Sequence, residues 1–225
     1  MNCLRDVLGE IKGKFVLSAD IQLDKYTPID LSNQNLALSD FDITDPISCQ
    51  KYVDTVCRKN KALVAYGGYM EKRNLYQGNT NFSGMDAEPR TIHLGVDFWA
   101  KAGTTIVAPM AGKVHSFKNN SQKGDYGPTI ILAHEHANCK FHTLYGHLSL
   151  DSLDQLYIGK EIAQGAAIAR LGTPEVNVNY APHLHFQLIV DMEGMHGDYP
   201  GVCAEKDVEF YKENCPDPNI LFKLP

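Results

Sequence analysis

Apolar positions along the chain follow two different rhythms. Between residues 46 and 60, Cys49, Tyr52, Val53, Val56 and Cys57 recur at the spacing of one helical face. Asp45 stands at the N-cap position and Pro46 at the first helical position, so the pattern predicts a helix over about 46–60. The ALVAY stretch that follows, Ala62 to Tyr66, has the length of a strand, and Gly67, Gly68, Gly78 and Gly84 mark a loop-rich approach to residue 90. From Arg90 onward the rhythm changes to short apolar runs punctuated by glycine and proline: HLGVDFWA, TTIVAPM, GKVHSF, PTIILAHEH, FHTLYGHL, KEIAQGAAIARLG and HLHFQLIV. Runs this short, with turn residues between them, predict a mainly β sandwich or barrel rather than alternating βα units. The chain thus divides into an N-terminal α/β extension (1–89), a β core (90–190) and a tail (191–225). The tail is expected to lie on the core as an extended segment.

With 225 residues the chain can bury a real core, as one large domain or one domain with a substantial extension. A net charge of -6 without a basic run argues against nucleic acid or an anionic membrane as the main partner. Arg5, Asp6, Glu10 and Lys12 interrupt the apolar residues at the N-terminus, so no signal peptide is read there. No stretch approaches the ~20 apolar residues of a membrane span, and the expected address is the cytoplasm. Cys3, Cys49, Cys57, Cys139, Cys203 and Cys215 include no C-x-x-C pair. Free thiols are expected, and zinc held by thiolates is disfavoured.

Nine histidines carry the candidate chemistry. On a strand, side chains two apart share a face. In HLHFQLIV, His183, His185 and Gln187 then point one way and Leu184, Phe186 and Leu188 the other, with Pro182 holding Ala181 extended at the entrance. In HLGVD the shared face carries His93, Gly95 and Asp97, with Gly95 leaving open space between the other two. In FHTLYGHL it carries Phe141, Thr143, Tyr145 and His147. Three strands that aim nitrogen and oxygen donors at one point suit zinc, which in catalytic sites takes three such ligands and keeps a position for water. Metal-assisted hydrolysis of an amide is the natural use, with the remaining histidines handling protons and the oxyanion. A single buried histidine is more often a hydrogen-bonded core residue, and His115, His136, His142 and His196 are read as surface or structural residues. His134 ends an apolar strand and either stands near the site or supports the fold. HEHAN is not H-E-x-x-H, because position 138 is Asn.

His93-Leu-Gly-Val-Asp97, Tyr145-Gly-His147-Leu148 and His183-Leu-His185-Phe186 resemble the H-x-x-x-D, Y-x-H-L and H-x-H motifs of the M23 zinc peptidases, the lysostaphin and LytM type. GTTIVAPMAGKV, GPTIILAH and IGKEIAQGAAIARLG are similar to that family's Gly-punctuated strands, and the likeness runs from about Arg90 to Val190 in the family's order. The resemblance implies a compact antiparallel β core of the duplicated hybrid-motif type. It implies one zinc ion per chain held by His93, Asp97 and His185, and it makes His147 and His183 the two non-ligand histidines that activate water and stabilise the tetrahedral intermediate. Tyr145, His134 and Gln187 are candidates for substrate or outer-shell contacts. The implied substrate is a peptide or peptidoglycan fragment. Where the family often has Glu after H-x-H-F, this chain has Gln187, which cannot act as a charged partner.

The segment from about Ala62, with RNLYQGNTNFSG and RTIHLGVDFWAKAGT, is also similar to M23-like domains fused to class III aminotransferases and kinase-like domains. In some family members an N-terminal segment covers the zinc, a role open to residues 1–89. Three other readings stand beside hydrolysis: a non-catalytic M23-like binding module, a phosphocarrier with two facing histidines, and a lipoyl or biotinyl carrier. The last lacks the modifiable lysine on a tight hairpin, and degenerate modules usually lose ligands that are present here.

Overall fold

The computed structural model describes residues 2–11, 15–18, 20–74 and 88–224. Gly78, Gly84 and most of RNLYQGNTNFSG lie outside them. Among the described residues the α-helices are α1 (Asn2–Glu10), α2 (Pro46–Asn60), α3 (Val208–Asn214) and α4 (Asn219–Phe222). Among them, α2 spans the helix expected over 46–60, with the Asp45 side chain accepting from the Ser48 N–H at its start.

Twelve strands make up the β structure of the described residues. The first two, β1 (Tyr26–Pro28) and β2 (Val64–Gly67), precede residue 90. They are followed by β3 (Ile92–His93), β4 (Val96–Trp99), β5 (Thr105–Val107), β6 (Gly112–Asn120), β7 (Gly127–His136) and β8 (Cys139–Gly146). Last come β9 (Glu161–Ile162), β10 (Ala167–Arg170), β11 (His183–Ile189) and β12 (Val202–Cys203).

Eight strands form one open sheet in the order β1-β2-β4-β11-β8-β7-β6-β9, and β10-β5 and β12-β3 form two small ladders. The protein is mainly β, as expected, but no barrel closes. The large sheet is mixed, because β1 and β2 pair in parallel while its other pairings are antiparallel. The strands before residue 90 extend the sheet: β2 pairs with β4, Ala65 opposite Trp99 and Gly67 opposite Asp97.

Alternation along these strands sorts residues between two faces. On one face Val64, Tyr66, Val96, Phe98, Leu184, Phe186, Leu188, Ile130 and Tyr145 join the largest apolar cluster. The opposite face carries two smaller clusters. Ala65 and Trp99 pack with α2 residues Cys49, Tyr52 and Val53, and Ile131, Leu144 and Ile189 pack with Tyr199 and Cys215. The polar residues of β11 lie between these two clusters.

Two expectations are corrected here. The tail holds α3 and α4 rather than only extended chain, and α4 anchors it, with Leu221 and Phe222 in the main core. Cys139 is disulfide-bonded, whereas Cys49, Cys57, Cys203 and Cys215 are free. Pairing depends on a Cα approach of about 6 Å that spacing in sequence does not reveal. No helix of the described residues is long and apolar enough to cross a membrane.

Candidate metal centre and active site

β11 is the spine of the site. It runs between β4 and β8, placing His185 directly opposite Asp97 on one side and Gly146 on the other, and His183 opposite Trp99. Cross-strand partners project to the same face, so Asp97, Trp99, His183, His185 and Gln187 gather on the face away from the main core. His93 arrives from a different strand. HLGVD is not one strand but two, broken at Leu94–Gly95, and β3 pairs with β12 outside the large sheet. The bend brings His93 over Asp97. Gly95 is required for contact rather than for open space: a Cβ there would lie 2.6 Å from the Phe186 carbonyl oxygen and 2.7 Å from the His185 ring.

Among the described residues, His93, Asp97 and His185 are the one group with metal-ligating geometry. His93 Nε2 lies 2.9 Å from His185 Nδ1, and Asp97 Oδ1 lies 3.3 Å from the first and 3.1 Å from the second. Ligand atoms around a tetrahedral zinc with bonds near 2.0 Å stand roughly 3.3 Å apart.

The outer partners fix the tautomers. His93 Nδ1 donates to the Gly68 carbonyl at 2.9 Å, so its Nε2 carries a lone pair. Gln187 Nε2 donates to the Pro200 carbonyl, which turns Oε1 toward His185; His185 Nε2 must then donate to it at 2.9 Å, leaving a lone pair on Nδ1. Two imidazole lone pairs and a carboxylate oxygen therefore face one another in a buried site with no proton between them. Such an arrangement repels itself unless a cation sits among the donors, and the donor set fits zinc.

The second carboxylate oxygen of Asp97 is held from behind. Arg73 Nη1 donates to Oδ2 at 2.6 Å, and Arg73 Nε donates to Glu71 Oε2 at 2.5 Å. Burial alone would raise the Asp97 carboxyl, but His93 and the Arg73 guanidinium outweigh it and hold the group well below the usual carboxylate range. Burial, with Arg73 adding to it, pushes the His93 imidazole down to about 4.

The two remaining histidines of the motifs stand beside this trio. His183 stacks on Trp99 with ring centroids 5.5 Å apart, and its Nδ1 donates to the Ala181 carbonyl at 2.7 Å. That bond leaves a lone pair on Nε2, 3.9 Å from Asp97 Oδ1. The His147 ring packs 4.2 Å from that of His183, centroid to centroid. Burial lowers both pKa values, that of His147 well below the ordinary range, so both rings are neutral near pH 7. All five residues line a cavity of about 310 Å³, whose walls also include Tyr126, Tyr180 and, from before residue 90, Leu31 and Ile43.

Three sequence-derived candidates sort differently. Gln187 lies against His185, as described. Tyr145 does not reach the cavity: it pairs with Phe186 across the sheet, packs in the main core and shares a hydroxyl–hydroxyl hydrogen bond with Thr143. Alternation does align Phe141 and Tyr145, but toward the core. His147 departs from that set because it follows the end of β8 with φ of +63°, which turns its side chain back to the site. His134 bridges the Ala111 carbonyl and the Thr143 hydroxyl, both at 2.8 Å, and lies outside the cavity lining. Sequence reasoning missed Gly68, Glu71 and Arg73, which follow β2 in a stretch read only as loop; no periodicity or motif marks them.

Known structures with similarity include a zinc-containing peptidase from Vibrio cholerae, 27% identical over 44% of this chain and 28% of that one, with a TM-score of 0.36. The catalytic domain of lysostaphin from Staphylococcus simulans is 22% identical over 61% of this chain and 97% of that one, also with a TM-score of 0.36. A Haemophilus influenzae protein described as an uncharacterized metalloprotease is 31% identical over 99 residues, 44% of this chain. The match spans only 19% of that relative's length. Residues 91–196 match the model of peptidase family M23, and this range contains His93, Asp97, His147, His183 and His185. A peptidase M23 domain thus covers residues 91–196 of the chain.

Proposed function

We propose that the protein is a zinc metallopeptidase that hydrolyses amide bonds in peptidoglycan-type or glycine-rich peptides. The observation that carries the reading is the convergence of three unprotonated donors, His93 Nε2, Asp97 Oδ1 and His185 Nδ1, beside two further neutral histidines in one cavity. A zinc ion held by these donors would supply Lewis acidity and lower the pKa of a water molecule. His183 offers Nε2 as a proton acceptor, since its other nitrogen is committed to the Ala181 carbonyl. His147, neutral and packed against it, is suited to hydrogen-bond a substrate carbonyl oxygen as charge develops on it. Trp99 holds the His183 ring from below. Endopeptidase cleavage and the substrate class rest on the family resemblance, and the cavity's tyrosines give a peptide backbone polar and aromatic surface to lie on.

The test is elemental analysis of unchelated protein together with a screen of glycine-rich peptides and cell-wall fragments, with product masses identifying the bond. Wild type is expected to hold about one zinc per chain. His185→Ala should lose it, whereas His183→Ala should keep it and lose hydrolysis. Equal zinc in wild type and His185→Ala would sink the ligand assignment. Metal without cleavage of any substrate would favour the non-catalytic binding module.

A further inference from the structure

The M23 match begins at residue 91, yet the metal centre reaches back before it. Residues 70–73 run alongside β3: Met70 N–H donates to the His93 carbonyl, His93 N–H to the Glu71 carbonyl and Arg73 N–H to the Thr91 carbonyl, at 2.9 to 3.0 Å. Lys72 forms a bridge with Ile92. These bonds deliver the Arg73 side chain into the interior behind Asp97, where it is 2% exposed. Burying a guanidinium so completely is costly unless it is paired.

Arg73 meets two carboxylates. Nη1 takes Asp97 Oδ2 and Nε takes Glu71 Oε2, while Glu71 Oε1 accepts the Leu31 N–H at 3.0 Å. Arg73 Cζ also lies 5.6 Å from the centroid of the Trp99 ring, the ring that stacks on His183. Its planar fork thus has donors in fixed directions, one set by an anchor and one set on a metal ligand. A lysine ammonium would bring the charge without the fork.

We propose that Arg73, held in place by Glu71, is a positioning residue for the metal centre. By occupying Oδ2 it leaves Asp97 a single oxygen for the ion, so that the segment preceding the M23 match completes the site. The inference rests on the zinc reading above. It also assigns residues 68–73 a constitutive part in the centre, distinct from a removable cover over it.

The test uses the full chain, wild type, Arg73→Lys and Glu71→Gln, with three readouts. These are zinc affinity by competition with a chromophoric chelator, the visible spectrum of the cobalt-substituted protein, and the melting temperature of the metal-free form. Arg73→Lys keeps the positive charge, so a purely electrostatic role would leave its cobalt spectrum and zinc affinity at wild-type values. Positioning predicts instead that zinc binds on the order of 10-fold more weakly and that the cobalt bands weaken, as Asp97 becomes free to offer both oxygens and raise the coordination number. Glu71→Gln should shift both readouts in the same direction by less, and it decides the matter if Arg73→Lys fails to fold. Folded variants with wild-type zinc affinity and cobalt spectra overturn the proposal. A wild type that binds neither metal brings down the zinc reading itself, an outcome visible before any variant is compared.

Discussion

A neutral amide decides how His185 is presented. Gln187 is fully buried and uses both ends of its side chain, accepting from His185 Nε2 and donating to the Pro200 carbonyl at 3.1 Å and to Cys215 Sγ at 3.2 Å. The carboxylate common at this place in the family would serve the first contact and fail the second, because it has no proton for the Pro200 carbonyl. Gln187→Glu is therefore expected to lower stability by roughly 1–3 kcal/mol, the cost of an unsatisfied buried acceptor, measured by chemical denaturation of the metal-free protein. A midpoint at or above that of wild type would show that the environment of Gln187 accepts a charge. The substitution of Gln for Glu was readable in the sequence, but its partners on the chain after β11 were not.

At the scale of elements, the site depends on where strands stop as much as on how they alternate. Alternation correctly separates His183, His185 and Gln187 from Leu184, Phe186 and Leu188, because β11 is regular and has neighbours on both sides. It misassigns HLGVD, where the chain bends between β3 and β4, and FHTLYGHL, where His147 leaves the strand in a left-handed conformation. The bend at Gly95 also lies against the backbone of β11. Gly95→Ala would set a methyl against the Phe186 carbonyl oxygen and the His185 ring. It is expected to cost roughly 1–3 kcal/mol, as overpacking does, and to weaken zinc binding by displacing His185. Wild-type values in a melting curve and a metal titration would contradict that account.

Across the whole molecule, the sheet carries a second polar system that has no part in the metal centre. His134 is buried between the Ala111 carbonyl and the Thr143 hydroxyl, and burial pushes its pKa from 6.5 down to about 4. The unfolded chain takes up this proton near pH 6.5 and the folded chain only near pH 4. Stability from the neutral ring is therefore complete above the first value and is lost as pH falls toward the second, by up to roughly 3 kcal/mol. His142, also lowered to about 4 by burial, works in the same direction. Melting temperatures of wild type and His134→Gln, compared from about pH 7 to about pH 4, should show a shallower decline in the variant. Parallel declines would mean that His134 is protonated equally in both states.

What the sequence determined by itself was local: the helix with its Asp45 cap, the division of β11 into an apolar and a histidine face, and the motif residues that mark family M23. Each follows from neighbours within a few positions, where backbone period and side-chain chemistry suffice. Tertiary structure alone decided that β1 and β2 extend the sheet beside β4, that Cys139 is disulfide-bonded, that Tyr145 belongs to the core, and that Gly68, Glu71 and Arg73 stand behind His93 and Asp97. These depend on partners distant in sequence. A buried guanidinium reads as an ordinary loop arginine until folding brings the carboxylate of Asp97 against it.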